Sequence, residues 1–115
     1  MKKILDQKYR TLLSKVPVVS RAERAIKDVT GINHDEFVSR TRQRHYVMCR
    51  IFFLHACGSS GISNTDLSAY LNLDHSTGIH YKKQYKNMMQ YDKFARMFFT
   101  NLQNRFDELE AEYGV

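Results

Sequence analysis

The sequence predicts an all-α fold, a compact bundle of six or seven helices that forms one domain. Apolar residues recur at spacings of three and four along most of the chain, as they do on the buried face of a helix. The 115 residues include one Pro and five Gly, so few positions would break a helix. Ser, Asn and Asp residues also stand before several apolar stretches, where their side chains can cap a helix.

The first two helices are predicted on either side of Pro17. Residues 2 to about 15 carry apolar side chains at helical spacing, and the proline is expected to end this helix because its preceding residue avoids the α region. Ser20 and Glu23 have the spacing of a capping box, which predicts the start of a second helix that stops at Gly31. The residues of this helix that are expected to face inward are Ala22, Ala25, Ile26 and Val29.

A short third helix and a long fourth helix are predicted next. Asn33 and Glu36 again have capping-box spacing, which predicts a helix of one or two turns. An Arg-rich polar loop follows at residues 40–44. The fourth helix, over residues 43–57, is apolar on nearly every side, which is typical of a helix in the middle of a bundle. Its apolar residues are Tyr46, Val47, Met48, Cys49, Ile51, Phe52, Phe53, Leu54 and Ala56.

Two helices joined by a tight turn are predicted in the second half of the chain. Ser63 and Asp66 have capping-box spacing at the start of the first, which runs to about residue 71. Asn72 and Leu73 form the turn. The second helix begins at Asp74, a natural N-cap whose carboxylate can accept from backbone N–H groups of the first turn. This arrangement is a helix-turn-helix, which sends the start of its second helix into the DNA major groove.

The second helix of this pair is predicted to continue to about residue 90, and a last helix is predicted over about residues 92–113. Apolar residues repeat three and four apart along both helices. Those expected to face inward are Ile79, Tyr81, Tyr85, Met88, Met89, Phe94, Phe98, Leu102, Phe106 and Leu109.

The charge of the chain favours an anionic partner. Eighteen Lys and Arg residues against twelve Asp and Glu residues give a formal net charge of +6. Nucleic acid is favoured over a membrane surface, because no strongly amphipathic basic helix stands out. No stretch approaches membrane-spanning length, and the N-terminal residues lack the apolar core of a signal peptide. The protein is therefore expected in the cytoplasm, associated with the nucleoid.

The two cysteines are expected to be buried thiols. Cys49 and Cys57 are eight residues apart in one predicted helix, a separation of about 12 Å, which is too long for a disulfide. Unpaired buried cysteines fit a reducing compartment.

The first turn of the second helix of the pair carries side chains that can read bases. His75, Ser76 and Thr77 can donate and accept at base edges, and the threonine methyl group can contact a thymine methyl group. Asp74 can accept from a cytosine amino group. The alternative interpretation is an ordinary capped helix start at the protein surface.

The tetrapeptide D-H-S-T at residues 74–77, followed two residues later by Ile79 and His80, resembles the signature of the C-terminal DNA-binding domain of DnaA. DnaA is the bacterial replication initiator, and this domain belongs to the Trp-repressor-like helix-turn-helix superfamily. Residues 31–37 and the basic run 39–44 are similar to the short helix and basic loop of the family. The resemblance covers most of the chain and implies sequence-specific binding of double-stranded DNA in replication initiation or its regulation.

Within residues 1–115, the resemblance divides the single predicted domain into an N-terminal helical extension, residues 1–19, and a DnaA-like region, residues 20–107. It implies that Asp74, His75, Ser76 and Thr77 stand where the family reads its binding site.

The resemblance also implies roles for the arginines. Arg40, Arg42 and Arg44 alternate along the basic loop, and a guanidinium can enter a narrow, A·T-rich minor groove. Arg42 aligns with the arginine that the family inserts into that groove. Arg50 stands near the position of a further arginine that contacts the DNA backbone. The alternative for the loop arginines is a solvated run of charge.

Three more residues of the second helix are candidates for contacts to DNA. Lys82 and Lys83 lie beyond the D-H-S-T run, where ammonium groups can contact phosphates, and Lys83 corresponds to a basic position of the family. His80 matches a recurring histidine of the family and is expected to be structural or directed at a phosphate.

The sequence departs from the family in ways that bear on which DNA is read. Asn72 and Leu73 stand where the family usually has an arginine next to glycine, and Gly78 replaces a β-branched residue. Glycine inside a helix costs about 1 kcal/mol of helix stability. We therefore expect the base preference to differ from that of the family.

The sequence argues against an ATPase or another enzyme. It lacks the phosphate-binding pattern G-x-x-x-x-G-K-[ST], so neither a nucleotide nor another cofactor is expected. His45 and Cys49 are four residues apart, but a zinc site needs two further ligands, so no metal is expected. The expected partners are double-stranded DNA and, beyond it, replication proteins or a resident initiator; no membrane partner is expected.

Two other functions stay open at this point. A small helix-turn-helix transcriptional regulator would use the same DNA-reading surface. A non-catalytic adaptor would instead use the hydrophobic last helix to dock a partner protein.

Overall fold

The computed structural model of the chain describes residues 4–39 and 43–113. Within these ranges the chain forms eight α-helices and no β-strand. The helices are α1 (Gln7–Ser14), α2 (Pro17–Thr30), α3 (His34–Phe37), α4 (Arg44–Cys57), α5 (Asn64–Tyr70), α6 (His75–Tyr91), α7 (Lys93–Glu108) and α8 (Glu110–Tyr113). The predicted all-α class is confirmed. The count exceeds the expected six or seven because the last predicted helix is divided at Leu109.

Helix α1 ends at Ser14, close to its predicted end, and Val16, the residue before Pro17, is extended as predicted, with φ of −64° and ψ of 129°. Pro17 is also the first residue of α2, so the second helix starts earlier than predicted. A proline suits this first position because the N–H groups of a first turn have no partner inside the helix. Ser20 consequently lies within α2, where its hydroxyl donates to the carbonyl of Ser14 at 2.7 Å. The predicted capping box at Ser20 is therefore wrong. The first helix also starts later than predicted, after Asp6, whose carboxylate accepts from the backbone N–H of Lys8 at 3.2 Å.

Three other predicted helix boundaries are confirmed. Gly31 ends α2 with φ of 76°, a left-handed conformation that glycine adopts without steric cost. The capping box of α3 is complete: the Asn33 side chain accepts from the Glu36 N–H at 3.0 Å, and the Glu36 side chain accepts from the Asn33 N–H at 3.3 Å. Ser63 caps α5 by accepting from the Asp66 N–H at 3.1 Å.

Helix α4 is the centre of the bundle, as its composition predicts. It packs against α2, α3, α5, α6 and α7. Its buried residues are Met48, Cys49, Arg50, Ile51, Phe52, Phe53, Leu54 and Cys57. Both cysteines are unpaired and buried, and burial raises the pKa of both thiols, that of Cys49 to about 12. No helix in the described ranges is both long and apolar enough to span a membrane.

The buried face of α7 differs from the predicted one in the first turns of the helix, whereas Leu102 and Phe106 are buried as predicted. The side chains that face the core are Ala95, Phe99, Leu102 and Phe106. Phe94, predicted to face inward, is 51% exposed. Val29 and Ile79 are 40% and 39% exposed, so their predicted inward orientation is also wrong. These residues sit at the edges of apolar stripes, where spacing does not tell which side the neighbouring helix covers.

Arg50, predicted to contact the DNA backbone, points into the protein. Its side chain is only 3% exposed, and its guanidinium donates to the carbonyls of Phe37 and Ser39. These carbonyls lie at the end of α3 and just after it, where a helix leaves its last carbonyls without partners from its own backbone. Arg50 therefore fixes the segment after α3 onto α4, and its assignment to the DNA interface is wrong.

We expect Arg50→Met to lower the free energy of unfolding by about 2 kcal/mol, because it leaves carbonyls near the core without a donor. Arg24→Met is the matched control, since Arg24 pairs with Asp28 and Glu112 at the surface, where ion pairs contribute little to stability. Urea denaturation of both variants measures the difference. Equal losses of stability in the two variants would show that the hydrogen bonds of Arg50 contribute no more to stability than a surface ion pair does.

Candidate nucleic-acid interface

Helices α5 and α6 are joined by a tight turn at residues 71–74. The backbone N–H of Asn72 donates to the carbonyl of Ala69 at 3.0 Å, and that of Leu73 donates to the carbonyl of Ser68 at 2.8 Å. Asn72 has φ of 60°, a left-handed conformation that asparagine adopts more readily than most residues. The chain therefore reverses within a few residues and starts α6 at His75.

The two helices are in close contact at Gly78, which is buried in α6. A Cβ atom at this position would lie 1.8 Å from Ser68 Oγ and 2.8 Å from Ser68 Cβ, distances that no real side chain tolerates. The absence of a side chain at residue 78 thus allows the backbone of α6 to lie directly on α5. This contact gives a packing reason for a glycine that helix propensity disfavours.

Asp74 occupies the N-cap position of α6, but its carboxylate does not cap the helix as predicted. The residue has φ of −66° and ψ of 151°, and its side chain makes no capping hydrogen bond. Its carbonyl accepts from the backbone N–H of Gly78 at 3.0 Å, the first hydrogen bond of the helix. Asp74 is exposed, so its carboxylate projects from the surface at the start of α6.

The first turn of α6 is also exposed at His75 and Ser76, whereas Thr77 is half-buried. His75 Nδ1 lies 3.1 Å from Thr65 Oγ1, at hydrogen-bonding distance, so the imidazole is oriented by α5. Three of the four residues of the D-H-S-T run are therefore on the surface, and His75 is held in place there. Thr65 was not singled out from the sequence.

A shallow groove of about 440 Å³ runs beside this turn. Its lining residues are Asn64, His75, Ile79, Lys82 and Lys83. The structure thus brings one base-reading candidate and both lysine candidates to one side of α6. The sequence contains no Asp or Glu between residues 75 and 91, so α6 offers only neutral and basic side chains. Asn64 and Ile79 are the lining residues that sequence reasoning missed as site residues, since only the packing of α5 on α6 places them here.

The two lysines differ in their surroundings. Lys82 extends toward the C-terminal end of α4, where its Nζ atom would lie 3.2 Å from a Cβ added to Gly58. An ammonium group is favourable at that end because the helix dipole is negative there. Desolvation and the nearby Lys82 charge lower the pKa of His55. Lys82 therefore has a structural contact as well, and Lys83 is the better candidate for a purely external contact.

Arg44 and His80 lie on a different side, in a groove of about 430 Å³ that also includes Asp92. Arg44 forms an ion pair with Asp92, and His80 Nε2 lies 3.0 Å from Gln84 Nε2. The hydrogen bond from the Ala95 N–H, with the Arg44 charge, lowers the pKa of Asp92. Arg44 is the first residue of α4 rather than part of a loop, and its side chain is tied to the far end of α6.

Arg40 and Arg42, the other two loop arginines, lie outside the described residues. Among the residues that are described, no group of three or more His, Cys, Asp or Glu side chains is arranged to hold a metal ion. Comparisons of the chain with protein-family models, with curated proteins and with solved structures found no match.

We expect Gly78→Ala to lower the free energy of unfolding by about 1–2 kcal/mol, because the added methyl group overpacks the contact with Ser68. Asn87→Ala, at an exposed position of the same helix, is the control and should leave stability unchanged or raise it by up to about 0.5 kcal/mol. Chemical denaturation monitored by circular dichroism measures both. Helix propensity alone predicts a gain of about 1 kcal/mol for Gly78→Ala, so a more stable variant would contradict the close contact.

Proposed function

We propose that this chain binds double-stranded DNA in a sequence-dependent way, with the first turn of α6 in the major groove. The observation that carries the proposal is the exposure of Asp74, His75 and Ser76 at the start of a helix that contains no acidic residue from His75 to Tyr91. The tip is polar and can exchange hydrogen bonds with base edges. We propose that the protein is a module similar to the C-terminal DNA-binding domain of DnaA.

In this proposal His75 and Ser76 contact bases, whereas Lys83 contacts a phosphate. His75 and Ser76 are short or rigid side chains, and Thr65 orients the imidazole, which favours a defined geometry at base edges. Lys83 lies about two turns further along α6, and its flexible ammonium group suits phosphate contact. Phosphate contacts position a protein on the duplex, whereas base contacts specify the sequence.

We propose that Arg42 and its neighbours complete the interface from the minor groove, as the resemblance to the DnaA family implies. Because the chain lacks a nucleotide-binding motif, the proposed role excludes ATP-driven melting of an origin. The module would occupy sites in DNA, mark them for replication proteins, or compete with a resident initiator. A transcriptional regulator would use the same tip, and the recognised sequence separates these roles.

A second candidate function, docking of a partner protein, is favoured by an apolar surface at the junction of α6 and α7. Tyr91, Phe94 and Met97 are 75%, 51% and 59% exposed. Large apolar side chains that cluster at the surface are typical of interaction sites. This surface lies at the opposite end of α6 from the proposed reading tip, so an adaptor function would be independent of DNA binding.

We expect His75→Ala to reduce the preference for a cognate duplex over a random duplex by about tenfold, since one good base contact is worth about 1–3 kcal/mol. The cognate duplex is first selected from a random-sequence pool with the wild-type protein. Fluorescence anisotropy then measures the affinity for both duplexes. His45→Ala, which removes an exposed histidine from α4, is the control and should keep the preference.

Equal weakening of both duplexes by His75→Ala would argue against base reading. The selected consensus is informative by itself, because a site like that of DnaA favours replication and an unrelated palindrome favours a dimeric regulator.

We expect Lys83→Ala to weaken binding to all duplexes by a similar factor and to reduce the slope of log affinity against log salt by about one. The reason is that a phosphate contact releases a counterion but carries no sequence information. Lys27→Ala, which removes an exposed lysine from α2, is the control for the loss of charge. A salt slope that Lys83→Ala and Lys27→Ala change equally would remove Lys83 from the interface.

A further inference from the structure

Helix α1 lies outside the region that resembles the DnaA domain, yet it contacts the turn between α5 and α6. Arg10 Nη1 donates to the carbonyl of Tyr70 at 2.7 Å. Arg10 Nη2 donates to the carbonyl of Ala69 at 3.0 Å and lies 3.4 Å from Oδ1 of Asn72. One guanidinium therefore reaches the last turn of α5 and the residue at which the chain reverses.

The carbonyls at the end of α5 need donors from elsewhere, because no further turn of the helix follows them. The Ala69 carbonyl also accepts from the backbone N–H of Asn72 at 3.0 Å, whereas the Tyr70 carbonyl points to Arg10. A cation is favourable at this end of a helix, and the planar fork of arginine can serve two acceptors at once. The Arg10 guanidinium also lies 5.7 Å from the centroid of the Tyr70 ring.

Two further side-chain hydrogen bonds hold helix α5, one to α1 and one to α2. The hydroxyl of Tyr9, the neighbour of Arg10 on α1, donates to Asp66 Oδ2 at 3.0 Å, so α1 contacts both the first and the last turn of α5. The hydroxyl of Tyr70 donates to Glu23 of α2 at 2.6 Å. The start of α6 follows this anchored end within a few residues.

We propose that Arg10 positions the turn between α5 and α6, and that α1 therefore contributes to DNA recognition together with these two helices. The left-handed backbone conformation of Asn72 costs free energy in residues other than glycine. Arg10 restrains this residue and the two carbonyls before it, and so restrains where His75 emerges. The consequence for DNA binding rests on the function proposed above, whereas the restraint on the turn does not.

The restraint is tested without DNA, by hydrogen exchange of the Asn72 and Leu73 amides measured by NMR. In Arg10→Met we expect these amides to exchange about tenfold faster, because a charge-assisted hydrogen bond at the turn is lost. Lys8→Met is the matched control, since it removes one positive charge from an exposed position of the same helix. It should leave the exchange of both amides unchanged.

The positioning role is tested with the duplex that the wild-type protein selects. Arg10→Met should lower the ratio of cognate to random affinity about fivefold, because a less preorganised turn must be ordered on binding. Its salt slope should match that of Lys8→Met, since neither residue contacts a phosphate in this proposal. Arg10→Lys keeps the charge but not the planar fork, and we expect it to fall between wild type and Arg10→Met in both measurements.

Equal exchange rates in Arg10→Met and Lys8→Met would overturn the restraint. Faster exchange with an unchanged affinity ratio would overturn the positioning role. Should Arg10→Met fail to fold, Arg10→Lys decides both points by the same criteria. A wild-type protein that prefers no duplex would refute the proposed function instead, and the exchange rates would still decide whether Arg10 restrains the turn.

Discussion

The contact between α5 and α6 at Gly78 is the constraint on which the geometry of the candidate interface depends. A Cβ atom at residue 78 would lie 1.8 Å from Ser68 Oγ, so any other residue would push the helices apart. Gly78 follows His75 by three residues, within the first turn of α6. The contact that sets the spacing of the helices therefore also sets the direction in which the exposed tip points. Glycine is costly for the helix but necessary for its packing.

Basic residues serve the interior of this protein as well as its surface. Arg50 donates to two carbonyls, one at the end of α3 and one just after it. Arg10 donates to two carbonyls at the end of α5, and the guanidinium of Arg21 lies 3.6 Å from the centroid of the Phe106 ring. Arg21 and Arg50 are nearly buried, at 8% and 3% exposure. Part of the positive charge behind the net charge of +6 is therefore inside the protein. Only the exposed basic side chains can contact an anionic partner such as DNA.

Features set by neighbours in sequence were predictable only in part, since the capping expected at Ser20 and at Asp74 is wrong. Orientations that depend on tertiary packing were harder to predict. The capping box of Asn33 and Glu36 depends on residues three apart, and the structure contains it as predicted. The orientation of Phe94 depends on which side of α7 meets α2, which spacing leaves open. The burial of Arg50 depends on carbonyls 11 and 13 residues away. In the same way, the exposed start of α6 was predicted, whereas the place of Asn64 beside it required the packing of α5.

The length of α6 limits how the proposed complex is arranged. The helix has 17 residues, which corresponds to about 25 Å from its reading tip to its far end. Arg44 is paired with Asp92 at that far end, and Arg42 precedes Arg44 by two residues in the sequence. A turn of DNA is about 34 Å long, so Arg44 and the tip would face different parts of one turn rather than the same base pairs. An initiator-like module and a regulator would both read bases with the same tip, so the sequence that the tip recognises, and not the length of α6, separates the two proposals.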